Sequence, residues 1–128
     1  MARTVYAPVD SKVESAASRC VDAALDVHRA LGPGFKEPIY HRAFCLELDS
    51  RKIAFESEKP VLVKYKTWEI PGQRIDLIVE GCLLVEIKAV PRLKDIHRSQ
   101  TISYLRTTEL RLGLLINFNA RLLKHGLK

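Results

Sequence analysis

Cysteine is scarce in this chain: only Cys20, Cys45 and Cys82 occur, far apart and odd in number. That excludes a disulfide framework and leaves none of the close spacings of a zinc site. All three sit among apolar neighbours and read as buried thiols. No apolar run approaches the roughly 20 residues that span a bilayer. The opening MARTVYAPVDSK has no apolar segment of the secretory kind, so a cytoplasmic protein without membrane contact is expected. Repeats, low-complexity tracts and linkers are also lacking. Acidic residues thin out toward the carboxy terminus. From Arg92 onward only Asp95 and Glu109 stand against Arg92, Lys94, Arg98, Arg106, Arg111, Arg121, Lys124 and Lys128.

What is present suffices for one core. Apolar residues make up 47% of 128 residues, too many for a disordered chain. The expectation is a loose arm over residues 1–10 and a single domain over 11–128. The net charge of +6 favours polyanionic partners, nucleic acid above all. Its concentration in the last third marks a candidate phosphate-facing surface, or else a solvated helix face.

Ser11 and Glu14 form a capping-box pattern. Val13, Ala16, Ala17, Cys20, Val21, Ala24, Leu25, His28 and Leu31 follow at helical spacing, and Gly32-Pro33-Gly34 ends the helix. A second helix is predicted from Glu37-Pro38 to about Ser50, with Ile39, Tyr40, Ala43, Phe44 and Leu48 as its buried stripe. Short strands are expected at Ile53–Glu56 and Val61–Tyr65, with Trp68–Ile70 a further short strand or edge and Pro71-Gly72 a turn. Residues 95–108 read as a helix touching the core through Ile96, Ile102 and Leu105. The apolar run Leu110–Phe118 reads as a strand buried on both faces, with a short helix or tail from Ala120. This order suggests an α/β sandwich with helices around a mixed central sheet.

Residues 74–88, RIDLIVEGCLLVEIK, are the most informative stretch. Ile75, Leu77, Val79 and Leu83, Val85, Ile87 alternate, which predicts two strands joined near Glu80-Gly81 with odd positions facing the core. Asp76, Glu86 and Lys88 are all even and share the opposite face. A two-residue turn would pair odd with even, so an odd-length connection with Gly81 in the left-handed region is expected. Two carboxylates and a lysine on a rigid sheet suit a hard divalent cation and a water activated beside it. The plainer alternative is an ordinary hairpin with a polar face.

Two further patterns accompany the hairpin. Gly34, Glu37 and Tyr40 stand at GxxExxY spacing, and Gln100 and Tyr104 lie one helical turn apart. Together with D-x9-ExK at Asp76, Glu86 and Lys88, they resemble the GxxExxY protein family, a branch of the PD-(D/E)xK nuclease superfamily. The helical QxxxY element resembles its RecB-type members. Ile75 stands where the signature has proline.

The resemblance implies a restriction-endonuclease-like core and divalent-metal-dependent hydrolysis of nucleic-acid phosphodiesters, DNA foremost. It implies Mg2+ or Mn2+ held by Asp76, Glu86, the main-chain carbonyl of Ile87, and Glu37. Lys88 would orient or activate the attacking water, and Gln100 and Tyr104 would line the site as further catalytic residues. Arg92, Lys94, His97 and Arg98 are the candidate phosphate contacts. A homodimer or partner protein could supply specificity. Against this stand a non-catalytic nucleic-acid-binding or protein-interaction module on the same fold, Glu37 as a helix cap, and Tyr40 as core. Trp68 reads as a packing residue, with base stacking as the alternative. His28 and His41 are assigned no chemistry.

Overall fold

Small side chains let the first helix lie close on the sheet. In the computed structural model, which describes Thr4–Val5 and residues 11–123, helix α1 spans Ser11–Leu31 and buries Val13, Ala16, Ala17, Cys20, Ala23, Ala24 and Val27. It ends as the breaker sequence requires: Gly32 has φ +67°, and its N–H donates to the His28 carbonyl at 2.8 Å. Helix α2 spans Glu37–Ser50 and buries Tyr40, Phe44, Cys45 and Leu48. Ile39, expected in that stripe, is instead 49% exposed. The buried row is centred on positions 40, 44 and 48, and Ile39 lies at its flank.

The loop between these helices is latched by Tyr40. Its hydroxyl donates to the Gly32 carbonyl at 2.5 Å and accepts from the Phe35 N–H at 3.1 Å. Its ring is fully buried and stacks on Phe118, with centroids 5.1 Å apart and planes at 6°. Gly34 takes φ +111°, a backbone that favours glycine, and donates its N–H to Asn119 Oδ1 at 3.1 Å. The glycine and tyrosine of the GxxExxY spacing thus set the angle at which α2 leaves the loop. The glutamate between them lies at the first turn.

The sheet has five strands: β1 (Thr4–Val5), β2 (Phe55–Tyr65), β3 (Trp68–Val79), β4 (Leu83–Lys88) and β5 (Leu112–Asn117), in the order β1-β5-β4-β3-β2. β4 and β5 are parallel and are connected through helix α3 (Asp95–Thr108); the other pairs are antiparallel. Leu77, Val79, Leu83, Val85, Ile87, Leu112, Leu114 and Ile116 pack with α1 and α2. Val61, Ile75, Ile78 and Leu84 pack with Tyr104 and Leu105 of α3 on the other face. This is the mixed α/β architecture expected, with β4 and β5 covered on both sides. Apart from Thr4–Val5, the expected arm over residues 1–10 lies outside the described residues, as does the tail after Leu123.

The middle of the chain differs from expectation. The two short strands before Tyr65 are one strand that runs through Pro60, tolerated because β2 is a sheet edge. Pro71-Gly72 is no turn. Val61 pairs with Gln73 and Val63 with Ile70, so those two residues stand against Leu62 alone as a bulge, with Gly72 at φ +122°. On α3 the buried residues are Thr101, Tyr104 and Leu105, while Ile96 is 68% exposed and Ile102 half-buried. The helix meets the sheet over Gly113, where an added Cβ would lie 3.0 Å from Thr101 Cγ2 and 3.2 Å from Leu105 Cδ1. Ile96 lies beyond that contact row. The connection from Val79 to Leu83 has three residues, with Glu80 at φ +53° and Gly81 at φ +69°. It pairs odd with odd as the alternation demands.

Tyr40→Phe tests the latch. It leaves the Phe35 N–H and the Gly32 carbonyl without their partner while keeping the stacked ring. A loss of about 1–3 kcal/mol in chemical denaturation is expected, and an unchanged midpoint would refute the latch.

Candidate functional site

The ladder between β3 and β4 covers Leu77–Val85, Ile78–Leu84 and Val79–Leu83, and then stops. Side chains take over where it ends. The Ile87 N–H donates to Asp76 Oδ2 at 2.7 Å, and the Asp76 N–H donates to Glu86 Oε1 at 3.3 Å. Each carboxylate thus holds an amide of the β3–β4 fork that the ladder no longer serves. In an extended strand the N–H and C=O of one residue address the same neighbour. The Ile87 carbonyl is therefore directed to the same fork.

Asp76 lies where the strand pair changes face. Ser57 pairs with Leu77 and Lys59 with Ile75 in one register, but Glu58 has φ +54° and leaves the pairing opposite Asp76. On one side of this break Leu77 packs toward α1 and α2. On the other, Ile75 packs toward α3 with Val61 and Tyr104, although it was expected beside Leu77 and Val79. A uniform period of two cannot survive such a kink. As a consequence Asp76 reaches across the fork instead of sharing one sheet face with Glu86 and Lys88.

Burial gives the fork its electrostatics. Glu86 is 2% exposed. Its carboxyl is pushed well above the ordinary carboxylate range, first by burial, then by the charge of the Asp76 carboxyl and a hydrogen bond shared with it, while the Asp76 amide and Lys88 oppose. Glu37, at the start of α2, is raised by burial and then by Asp76, with Lys88 and His41 opposing. Glu37 and Asp76 line one cleft of about 530 Å³ together with His41, Arg42, Ser57 and Arg74. His41 Nε2 lies 2.8 Å from Ser57 Oγ on that wall, whereas His28 Nε2 donates to the Ala120 carbonyl at 2.7 Å, away from it.

On the α3 side a chain of polar groups leads out of the fork. Lys88 Nζ donates to Gln100 Oε1 at 2.9 Å. Gln100 Nε2 donates to the Tyr104 hydroxyl at 3.3 Å, and that hydroxyl donates to Gln73 Oε1 at 2.6 Å. Burial, then Glu86 and Asp76, push the Tyr104 hydroxyl up, which keeps it a donor. These four residues line a second cleft of about 560 Å³ with His97. The Lys94 N–H donates to His97 Nδ1 at 2.9 Å, so the ring caps α3. Burial, then Lys88 and Lys94, lower its pKa, which favours the neutral ring with Nε2 as donor.

The fold therefore gathers Asp76, Glu86, Ile87 and Lys88 at the fork, puts Glu37 in the cleft on the α2 side, and links Gln100 and Tyr104 to Lys88. Of the phosphate-contact candidates, His97 lines the second cleft, while Arg92, Lys94 and Arg98 stand exposed around the start of α3. Gln73 went unnoticed because Pro71-Gly72 reads as a turn. A strand continued through it would have put Gln73 opposite Val61. Asn117 was also missed. It is buried and clamps Val90, accepting from its N–H at 3.0 Å and donating to its carbonyl at 2.9 Å.

As to a cation, the donor set is hard oxygen, and a buried like-charged pair gains from a positive ion. Among the described residues no three or more of His, Cys, Asp and Glu form a metal-binding group. The fit is thus to an ion that keeps several waters, as Mg2+ does, and not to a closed protein cage.

The raised Glu86 carboxyl has a stability consequence. Its proton is held more tightly in the folded chain than in the unfolded one. Its contribution is therefore full below the unfolded value of about 4.5 and is lost as pH rises toward the folded one. In metal-free buffer Glu86→Gln should flatten this decline and raise Tm by several degrees at pH 8. Parallel wild-type and variant profiles between pH 5 and pH 8 would contradict it.

A family model described as the PD-(D/E)XK nuclease superfamily matches residues 14–128. No curated protein and no solved structure matches the chain.

Proposed function

The chain belongs to the PD-(D/E)XK nuclease superfamily, and from that premise we propose that it hydrolyses nucleic-acid phosphodiesters, DNA foremost, at the β3–β4 fork. The Gly34, Glu37 and Tyr40 spacing supports reading it as one of the GxxExxY branch. The observation that carries the reading is the crossed pair of carboxylates, Asp76 and Glu86, with Lys88 two residues beyond. Members of this superfamily generally use divalent metals. Asp76, Glu86 and the Ile87 carbonyl would hold Mg2+ or Mn2+ directly and Glu37 through one of the waters the ion keeps, and the ion would supply Lewis acidity at the scissile phosphate.

The remaining roles belong to the chain itself. Lys88 orients the attacking water and stabilises the charge that grows on the phosphate. Gln100, fixed by Tyr104, keeps the Lys88 ammonium in place. The His97 Nε2–H and the cations Arg92, Lys94 and Arg98 hold neighbouring phosphates. Glu86 would have to give up its proton to hold the ion, so affinity would rise with pH. No helix among the described residues is long and apolar enough to cross a membrane. Cys20, Cys45 and Cys82 form no disulfide, which accords with work in the reducing cytoplasm. A second copy or a partner protein would enlarge the contact surface of so small a chain.

The test is Mg2+- or Mn2+-dependent cleavage of plasmid and single-stranded DNA. Asp76→Asn, which keeps an acceptor for the Ile87 amide, should abolish cleavage, and Lys88→Met should slow it roughly 10²–10³-fold. Calorimetric titration should show Mn2+ binding lost in Glu86→Gln. Equal cleavage by wild type and Asp76→Asn would reject the site. Salt-sensitive binding without turnover or metal effect would instead identify a non-catalytic nucleic-acid-binding module.

A further inference from the structure

β2 and β3 run on past the rest of the sheet. β4 accompanies β3 only from Leu77 to Val79, whereas β2 and β3 pair with each other as far as Tyr65–Trp68. The far part is a two-stranded arm, closed by Lys66 at φ +56°. Opposed residues of an antiparallel pair share a face. Val61 and Gln73 lie on the α3 face, where Val61 packs with Tyr104 and Gln73 accepts from its hydroxyl. β2 keeps its alternation through the bulge, so Val63–Ile70 and Tyr65–Trp68 continue the same face outward.

The end of this ridge is aromatic and open. Trp68 is 62% exposed and Tyr65 55%. Their rings stack, with centroids 6.2 Å apart and planes at 18°. Lys66 Nζ stands 5.4 Å from the Tyr65 ring centre, and Lys64 flanks that ring on the other side in sequence. Among the described residues no helix covers these rings, and large aromatics in water need a reason. An added β-strand is a poor occupant: edge strand β2 carries Pro60, Lys59 and Lys64, and a bulge faces it. Flat π-faces beside the Lys66 ammonium suit unpaired nucleobases on a phosphate backbone.

We propose that this arm is a stacking platform for single-stranded nucleic acid, a strand that reaches the fork along the Gln73–Ile70–Trp68 ridge. The inference deepens the nuclease reading and rests on it for the direction of the strand. Trp68 lies eight residues from Asp76 on the same strand, roughly 25 Å at about 3.3 Å per residue. The platform therefore grips the strand away from the bond being cut. Base faces are available only where pairing is absent, so the site discriminates a single strand or frayed end from a blunt duplex.

Trp68 is the sole tryptophan, so its emission reports on this platform alone. The experiment uses the full chain in EDTA with fluorescein-labelled single-stranded DNA and the matching blunt duplex. Binding is read by anisotropy and Trp68 emission is read in parallel with unlabelled strands. Single-stranded DNA should quench the emission along the same isotherm as the anisotropy. Trp68→Ala should weaken binding roughly tenfold or more, and Trp68→Phe should restore most of it. Replacing Lys64 and Lys66 together by alanine should lower the salt slope.

Saturating anisotropy with flat Trp68 emission and wild-type affinity in Trp68→Ala would overturn the platform. So would equal affinity for the blunt duplex. A blue shift that grows with protein concentration without DNA, together with a dimeric mass, would overturn it in favour of a second copy. Cleavage in Mg2+ with a silent Trp68 removes the arm and keeps the nuclease. Trp68 quenching without cleavage in any metal does the reverse.

Discussion

Two carboxylates that each hold a backbone amide at the β3–β4 fork are the constraint on which this molecule turns. The Asp76 and Glu86 contacts replace the ladder where β3 and β4 separate. Without them the fork would expose unserved amides in a place too buried for water to serve them freely. The same contacts set the buried Glu86 carboxyl against a second carboxylate, where its own charge is costly. A proton on Glu86 relieves this repulsion, and so would a cation. The structural and chemical demands on the fork thus coincide in one pair of side chains.

The surrounding elements serve that geometry. α1 and α2 cover one face of the sheet, and the Tyr40 latch sets how α2 brings Glu37 to the Asp76 cleft. Among the described helices α3 covers the other face, drawn close over Gly113, and presents Gln100 and Tyr104 to Lys88. The two clefts therefore open on opposite sides of the fork, one rich in carboxylates and the other in amide, hydroxyl and imidazole donors.

Much of this was legible in the residues. Breaker chemistry at Gly32-Pro33-Gly34 and the proline after Glu37 bounded both helices, since such signals act locally. Alternation in residues 77–87 set the register of β3 and β4, because a slip would have exposed a whole apolar row. Other features were hidden. Pro71-Gly72 and Pro60 look like strand ends, yet an edge hairpin absorbs both, the first as a bulge. Ile75 fell on the other face because Glu58 and Asp76 break the period, and no local pattern announces such a kink. Ile39 and Ile96 looked like core residues by chemistry, but burial depends on where a helix touches its neighbours. The Gln73–Tyr104 bond joins residues 31 apart and depended on the missed strand.

The double duty of the fork carries an evolutionary consequence. A descendant that gave up hydrolysis could part with Lys88 more readily, for its ammonium donates to the Gln100 side chain and holds no backbone amide of the fork. It could not so easily shed the acceptors at positions 76 and 86, because the strands themselves lean on them. Inactive copies should therefore drift first at the lysine and keep amides or acids at the other two positions, so that a preserved acidic pair by itself is a poor badge of an active enzyme.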